Sequence, residues 1–150
     1  LKPSELNTIL DQHRLWIESD RKQGKRADLR VANLQNADLR VANLQNADLR
    51  VAYLRDADLR DAYLQDAYLQ DAYLQDAYLQ NADLQNADLQ GAYLRGADLR
   101  GATFTTNFKK VGWFEGATFS EDQIAWVCLH PKFGEWESTL KWVKVEANAA

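Results

Sequence analysis

Leucine stands at positions 29, 34, 39 and every fifth residue up to Leu99, and Phe104 takes the next place. Alanine stands two residues before each, from Ala27 to Ala102, and the positions between are almost all polar. Sixteen A-x-L-x-x units therefore follow one another without a gap. Ala, Leu, Gln and Arg favour helices, yet five residues advance a helix by about 500°, so each leucine is rotated by roughly 140° from the last and no apolar stripe forms. A continuous strand fails as well, because an odd period sends alternate leucines to opposite faces. The period fits a chain that turns a corner after every unit, with Ala and Leu pointing inward from each short flat side. The architecture expected is an all-β solenoid.

The A-[DNY]-L-x-x units resemble those of the pentapeptide-repeat family, strongly over 25–105 and weakly over 111–120. The resemblance implies a right-handed quadrilateral β-helix with four units per coil, its inward pair represented here by residues such as Ala67 and Leu69. About five coils follow, with a helical cap before them and a mostly helical cap after. The stretch ILDQHRLWIESDRKQGKRADL also resembles the N-terminal region of many bacterial members.

The flanks carry other periods. Residues 4–18 read as a helix with Leu6, Ile9, Leu10, His13 and Trp16 or Ile17 on one face, Ser4 as its N-cap after Pro3. Such a helix would cover the open end of a solenoid. Near 105–111 strict register would bury Asn107 and Lys109, and an unpaired buried lysine is too costly. A bulge that turns Phe108 inward is expected, with Gly112–Phe114 and Ala117–Phe119 back in phase. Ser120-Glu121-Asp122-Gln123 is a capping-box pattern opening a helix to about Leu129, stopped by Pro131. Residues 135–146 fit a helix or a strand. The divisions are thus 1–24, 25–120 and 121–150.

With four units per coil, residues twenty apart stack at about 4.8 Å. One outward column then holds Asn33, Tyr53, Tyr73, Tyr93 and Trp113, an aromatic ladder whose rings either simply pack on each other and on the arginine stems or form a flat recognition strip. Tyr63, Tyr68, Tyr73 and Tyr78 gird one coil, the product expected of duplicated AYLQD units. Another side pairs Asp38 with Arg40, Asp58 with Arg60, and Asp98 with Arg100, opposite columns that compensate each other. Gly91, Gly96 and Gly101, with Asn or Asp at earlier corners, suit turns of positive φ.

Composition narrows the function. The formal net charge is −4 and the pI near 5.2, which argues against a basic nucleic-acid binder. No run of about 18 apolar residues suggests a membrane span, and the opening LKPSELNTIL lacks the regions of a secretory signal. The one cysteine, Cys128, excludes an internal disulfide framework and favours a reducing compartment, the cytoplasm. A lumen filled by Leu and Ala leaves no cofactor pocket, and aspartates on a wet surface lack the desolvation that acid–base work needs. Cys128 and His130 fall short of a zinc ligand set; a cap cysteine is more often buried packing, and His13 suits a helix residue bonded to backbone. No catalytic, cofactor or metal residue is assigned.

The leading expectation is a non-catalytic module with a protein partner, its strip formed by Tyr53, Tyr73, Tyr93 and Trp113. Trp113, Trp126, Trp136 and Trp142 either seal the last coil or leave apolar surface for an end-to-end homodimer. The resemblance also implies a rival, since the family includes quinolone-resistance proteins that imitate duplex DNA and inhibit DNA gyrase. Residues 26–105 hold 12 Asp and 8 Arg, a net −4. Over about 19 Å that is roughly one charge per 5 Å, about a third of the duplex density.

Overall fold

The computed structural model describes residues 1–145. Parallel bridges join residues twenty apart, from Asp28–Asp48 through Tyr53–Tyr73 to Asp98–Thr118. Each turn of the coil is therefore four pentapeptide units. Every flat side contributes two rungs, as at Tyr73, whose N–H donates to Ala52 O at 2.9 Å while its carbonyl accepts from Leu54 N–H at 2.7 Å. The expected inward pair is observed: every repeat leucine is buried, and so are Ala27 and each repeat alanine from Ala47 onward. Ala32, Ala37 and Ala42, in the first turn, are only half-buried.

The corners adopt the left-handed conformation as expected, with φ near 60° at Asn36, Asn46, Asp56 and Asp61 and near 70° at Gly91, Gly96 and Gly101. Val31, Val41 and Val51 share it at 58–60°. A β-branched residue is ill suited to that region, so these three corners follow the coil against their own preference.

Helix α1 (Pro3–Glu18) lies against the N-terminal turn. Leu6 and His13 are buried while Ile9, Leu10, Trp16 and Ile17 are half-buried, which is the expected face. The expected cap at Ser4 is displaced: Pro3 opens the helix, Ser4 lies within it, and the Glu5 carboxylate accepts the Lys2 N–H at 2.9 Å. Gly24 (φ 73°) joins α1 to the coil where any Cβ would collide with the Gln12 carbonyl.

The break near 105–111 is a 3₁₀ turn, Thr106–Lys110. Phe108 points inward and is fully buried, Lys109 is exposed, and Phe114, Ala117 and Phe119 regain the lumen phase. Asn107 instead turns its amide onto the ring, donating to Leu84 O at 2.9 Å and Ala87 O at 3.1 Å.

Beyond β1 (Thr118–Ser120) the chain makes a 3₁₀ turn, then α2 (Ile124–Val127) and α3 (Phe133–Trp136). The expected capping box at Ser120–Gln123 is present, with Gln123 Oε1 accepting the Ser120 N–H at 2.7 Å, and Ser120 Oγ also accepts from Gly101 N–H at 2.7 Å. The helix stops at Val127 rather than Leu129. His130 explains the stop: it is buried and bonded to Val111 O at 2.6 Å, which ties the chain down before Pro131. Of the segment 135–146, the described residues to 145 are of both kinds. Helical turns run to Thr139, then β2 (Lys141–Val143) pairs in parallel with β1, so the C-terminal segment is less helical than expected. Residue 146 and the rest of the 121–150 division lie outside the described residues. Phe104, Phe108, Phe114 and Phe119 form the last layer of the lumen, covered by His130, Trp136 and Trp142.

Candidate functional site

One side of the coil differs from the others in its outward residues. Tyr53, Tyr73 and Tyr93 lie on consecutive turns with ring centroids 5.0 Å apart and planes within 5° of parallel. The twenty-residue step places them, since identical backbone positions give identical side-chain directions. Each ring presents its edge and hydroxyl outward, and among the described residues none of the three hydroxyls makes a hydrogen bond. Tyr53 is 37% exposed, and Tyr73 and Tyr93 are half-buried by their neighbours.

Trp113 occupies the next place of the same backbone column, bridged to Tyr93. Its ring leaves the ladder and stacks on Trp136 at 5.5 Å, because the C-terminal segment supplies a larger partner. The ring stack therefore ends at Tyr93. Trp113 is 41% exposed and lines a smaller hollow with Tyr93 and Arg95.

Beside the ladder runs an open groove of about 640 Å³, bordered by Tyr53, Tyr73, Arg55, Gln75, Arg95 and Glu115. It follows the long axis across several turns. Two of its charged residues were not anticipated from the sequence. Arginines in the A-D-L-R units are clamped by the aspartate two residues earlier: in Arg40–Asp38 the contacts are 2.9 and 2.8 Å, in Arg60–Asp58 2.8 and 2.6 Å. Arg30, Arg50 and Arg100 are held in the same way. Arg55 and Arg95 follow a tyrosine instead, so the unit offers no carboxylate. Arg55 approaches Asp56 only at 3.8 Å with both side chains largely exposed, and Arg95 has no ion pair among the described residues. The A-Y-L-R spelling at 53–55 and 93–95 was the available signal.

The Asp–Arg sides are self-compensating, as expected, with Arg40 Nε also 3.8 Å from Asp58 in the next turn. The guanidinium beside each holds Asp28 and Asp38 at about 2. Both are exposed, so the pairs set surface charge more than stability. The remaining tyrosines, Tyr63, Tyr68 and Tyr78, face three other sides; Arg26 lies over the Tyr68 ring at 4.8 Å.

The two histidines are structural. His13 Nδ1 accepts the Ala27 N–H at 2.9 Å and its Nε2–H donates to Gln45 O at 2.8 Å. His130 repeats the arrangement, accepting from Lys132 N–H at 3.0 Å and donating to Val111 O at 2.6 Å. Both must be neutral, and burial pulls both below the usual imidazole value, helped by Arg26 and Lys132 respectively. Cys128 is exposed rather than packed, its thiol 3.7 Å from Ala125 O, since Val127 takes the inward place on the short α2. Among the described residues no cluster of His, Cys, Asp or Glu is arranged to hold a metal, and no helix is long and apolar enough to cross a membrane.

The family model for pentapeptide repeats matches residues 25–61 and 67–105, in eight copies. Among solved structures, a pentapeptide repeat protein from the thylakoid lumen of Arabidopsis thaliana is 28% identical, with a TM-score of 0.59 over 68% of this chain and 74% of its own. A pentapeptide repeat protein from Nostoc PCC 7120 is 27% identical over 91% of this chain and 96% of its own, with a TM-score of 0.42. QnrB1, a plasmid-mediated fluoroquinolone resistance protein, is 21% identical over 83% of this chain and 68% of its own, with a TM-score of 0.43. No curated protein sequence matches the chain. Pentapeptide-repeat neighbours imply a right-handed quadrilateral β-helix, in accord with the four-unit turn.

Proposed function

We propose that this chain, which belongs to the pentapeptide-repeat family, is a non-catalytic interaction module that receives a protein partner on the side formed by Tyr53, Tyr73, Tyr93 and Trp113. Its working body is a coil of about five turns over residues 25–120, capped by 1–24 and by 121–150. The observation that carries the reading is the stacked tyrosine ladder beside an open groove. The rings are fixed by their neighbours, so they lose little freedom on binding, which is what makes rigid aromatics good anchors. A lumen packed with leucine supplies no concave apolar pocket for a substrate. Capture of partners from the native host, repeated with Tyr73→Ser and Tyr93→Ser, tests this. A partner retained undiminished by the double variant rejects the surface.

Duplex mimicry is the weaker reading, because five of the repeat arginines are clamped to aspartates and thin the negative charge. Loss of gyrase supercoiling on adding the protein would revive it. A homodimer through the C-terminal cap has a specific support: Ile124, Trp126 and Leu129 are 48%, 38% and 47% exposed. A monomer in sedimentation at high concentration rejects it. The cytoplasm is the proposed compartment, and host-cell fractionation checks it.

A further inference from the structure

We infer that the tyrosine groove takes an extended polyproline-II segment of a partner, with two carboxylates three residues apart engaging Arg55 and Arg95. The inference rests on the reading of this side as a partner surface and names the chemistry that fits it.

Arg55 and Arg95 are the two arginines of the A-x-L-R units that no aspartate clamps, and both border the groove. They share one column with Gln75 between them, two turns apart, a separation of roughly 9.6 Å. A polyproline-II chain rises 3.1 Å per residue with three residues per turn, so positions i and i+3 share a face about 9.3 Å apart. One ligand turn thus spans two turns of this coil. A β-strand ligand does not match, since i and i+3 point to opposite faces.

The rest of the groove suits such a chain. Its backbone makes no internal hydrogen bonds, so its carbonyls are free to accept from the Tyr53 and Tyr73 hydroxyls and the Gln75 amide. Grooves lined by aromatics are a known kind of site for this helix. Asp76 and Glu115 line the same groove and would repel a continuous polyanion. Two isolated carboxylates meet less of this repulsion than a continuous polyanion does, which favours a peptide over a nucleic acid.

Fluorescence anisotropy with the full chain tests this, using a labelled peptide of four Glu-Pro-Pro repeats. Lys-Pro-Pro repeats, Glu-Pro repeats and a single-stranded oligothymidylate serve as comparisons. The Glu-Pro-Pro peptide is expected to bind best and to weaken with salt. Arg55→Gln and Arg95→Gln are each expected to weaken it about fivefold, the measure of an exposed ion pair. Circular dichroism confirms that these surface variants stay folded. Equal binding by the double arginine variant, equal binding of Glu-Pro repeats, tighter binding of the oligonucleotide, or no binding up to about 1 mM overturns the inference. If the peptide fails while the tyrosine variants still lose their host partner, the surface stands and only its ligand chemistry is wrong.

Discussion

Val41 gives the sharpest test of how the coil overrides local preference. Its φ is 60° and it is 60% exposed, so it holds a left-handed corner with little burial in return. That conformation costs an ordinary L-residue about 1–2 kcal/mol, a penalty that asparagine lessens by bonding locally. Asn36 and Asn46 occupy the flanking corners at 60° and 61°, so the backbone already accommodates the replacement. The N–H bond to Arg60 O, 3.0 Å, does not depend on the side chain. Subtracting about 0.5 kcal/mol for the lost fraction of apolar burial, Val41→Asn should stabilise the protein by about 1 kcal/mol. A domain of this size then gains about 2–4 °C in Tm. Val31→Asn should gain less, because Val31 stacks one turn below Val51 and their contact is worth about 0.2–1 kcal/mol. Guanidinium unfolding followed by circular dichroism is the assay, with Val41→Ala as the control. Alanine keeps the left-handed penalty, so it should not stabilise. A gain in the alanine variant equal to that in the asparagine variant would refute the reasoning, as would no gain in either.

Other outcomes follow from the same geometry. Neutral His13 and His130 have folded pKa values below the unfolded value near 6.5, so the unfolded chain binds more protons on acidification. Their contribution is complete above pH 6.5 and fades as pH falls below it; unfolding midpoints measured from pH 8 to pH 5 should drop, less so in His13→Gln. Asp28 and Asp38, held at about 2, should stay ionised until pH falls well below 4, which carbon-detected NMR titration checks. Gln123 donates to Leu99 O at 2.6 Å and Ala102 O at 2.8 Å. Leu99 O also accepts the Ala102 N–H at 2.9 Å, so Gln123→Leu leaves one carbonyl, Ala102 O, unpaired and should cost about 1–3 kcal/mol by denaturant unfolding. Leu69→Ala in mid-lumen should cost about 2–5 kcal/mol, and a cost under 1 kcal/mol would show that the lumen collapses around the gap.

The register of Ala and Leu, the inward turn of Phe108 and the face of α1 were all legible in the sequence, because each follows from where apolar side chains must go. The aspartate–arginine clamps were only half legible. The pairs Asp38–Arg40, Asp58–Arg60 and Asp98–Arg100 were read from one side and are observed; that the same clamp extends to Asp28–Arg30 and Asp48–Arg50 was not. The valine corners were hidden because a corner is recognised by residues that favour positive φ, and valine does not. Trp113 was placed in the right column with the wrong ring partner, since Trp136 arrives from twenty-three residues away. Asn107 and Gln123 carry no local pattern that marks them. Their role depends on carbonyls left open where the coil changes, as with the early stop of α2 at His130.

The twenty-residue step has a consequence for how such a gene can change length. Adding or deleting four units lengthens or shortens the rod by one strand spacing, about 4.8 Å, and leaves every column intact. Adding a single unit turns everything beyond it by a quarter revolution. Inserted between Tyr53 and Tyr73, it would carry Tyr73 and Tyr93 to another side, while each residue kept its neighbours along the chain and its place in the lumen. Such a protein would fold as before and present a different face. Slippage in this repeat tract therefore edits the surface in two separate ways, reach when the step is four units and identity when it is one.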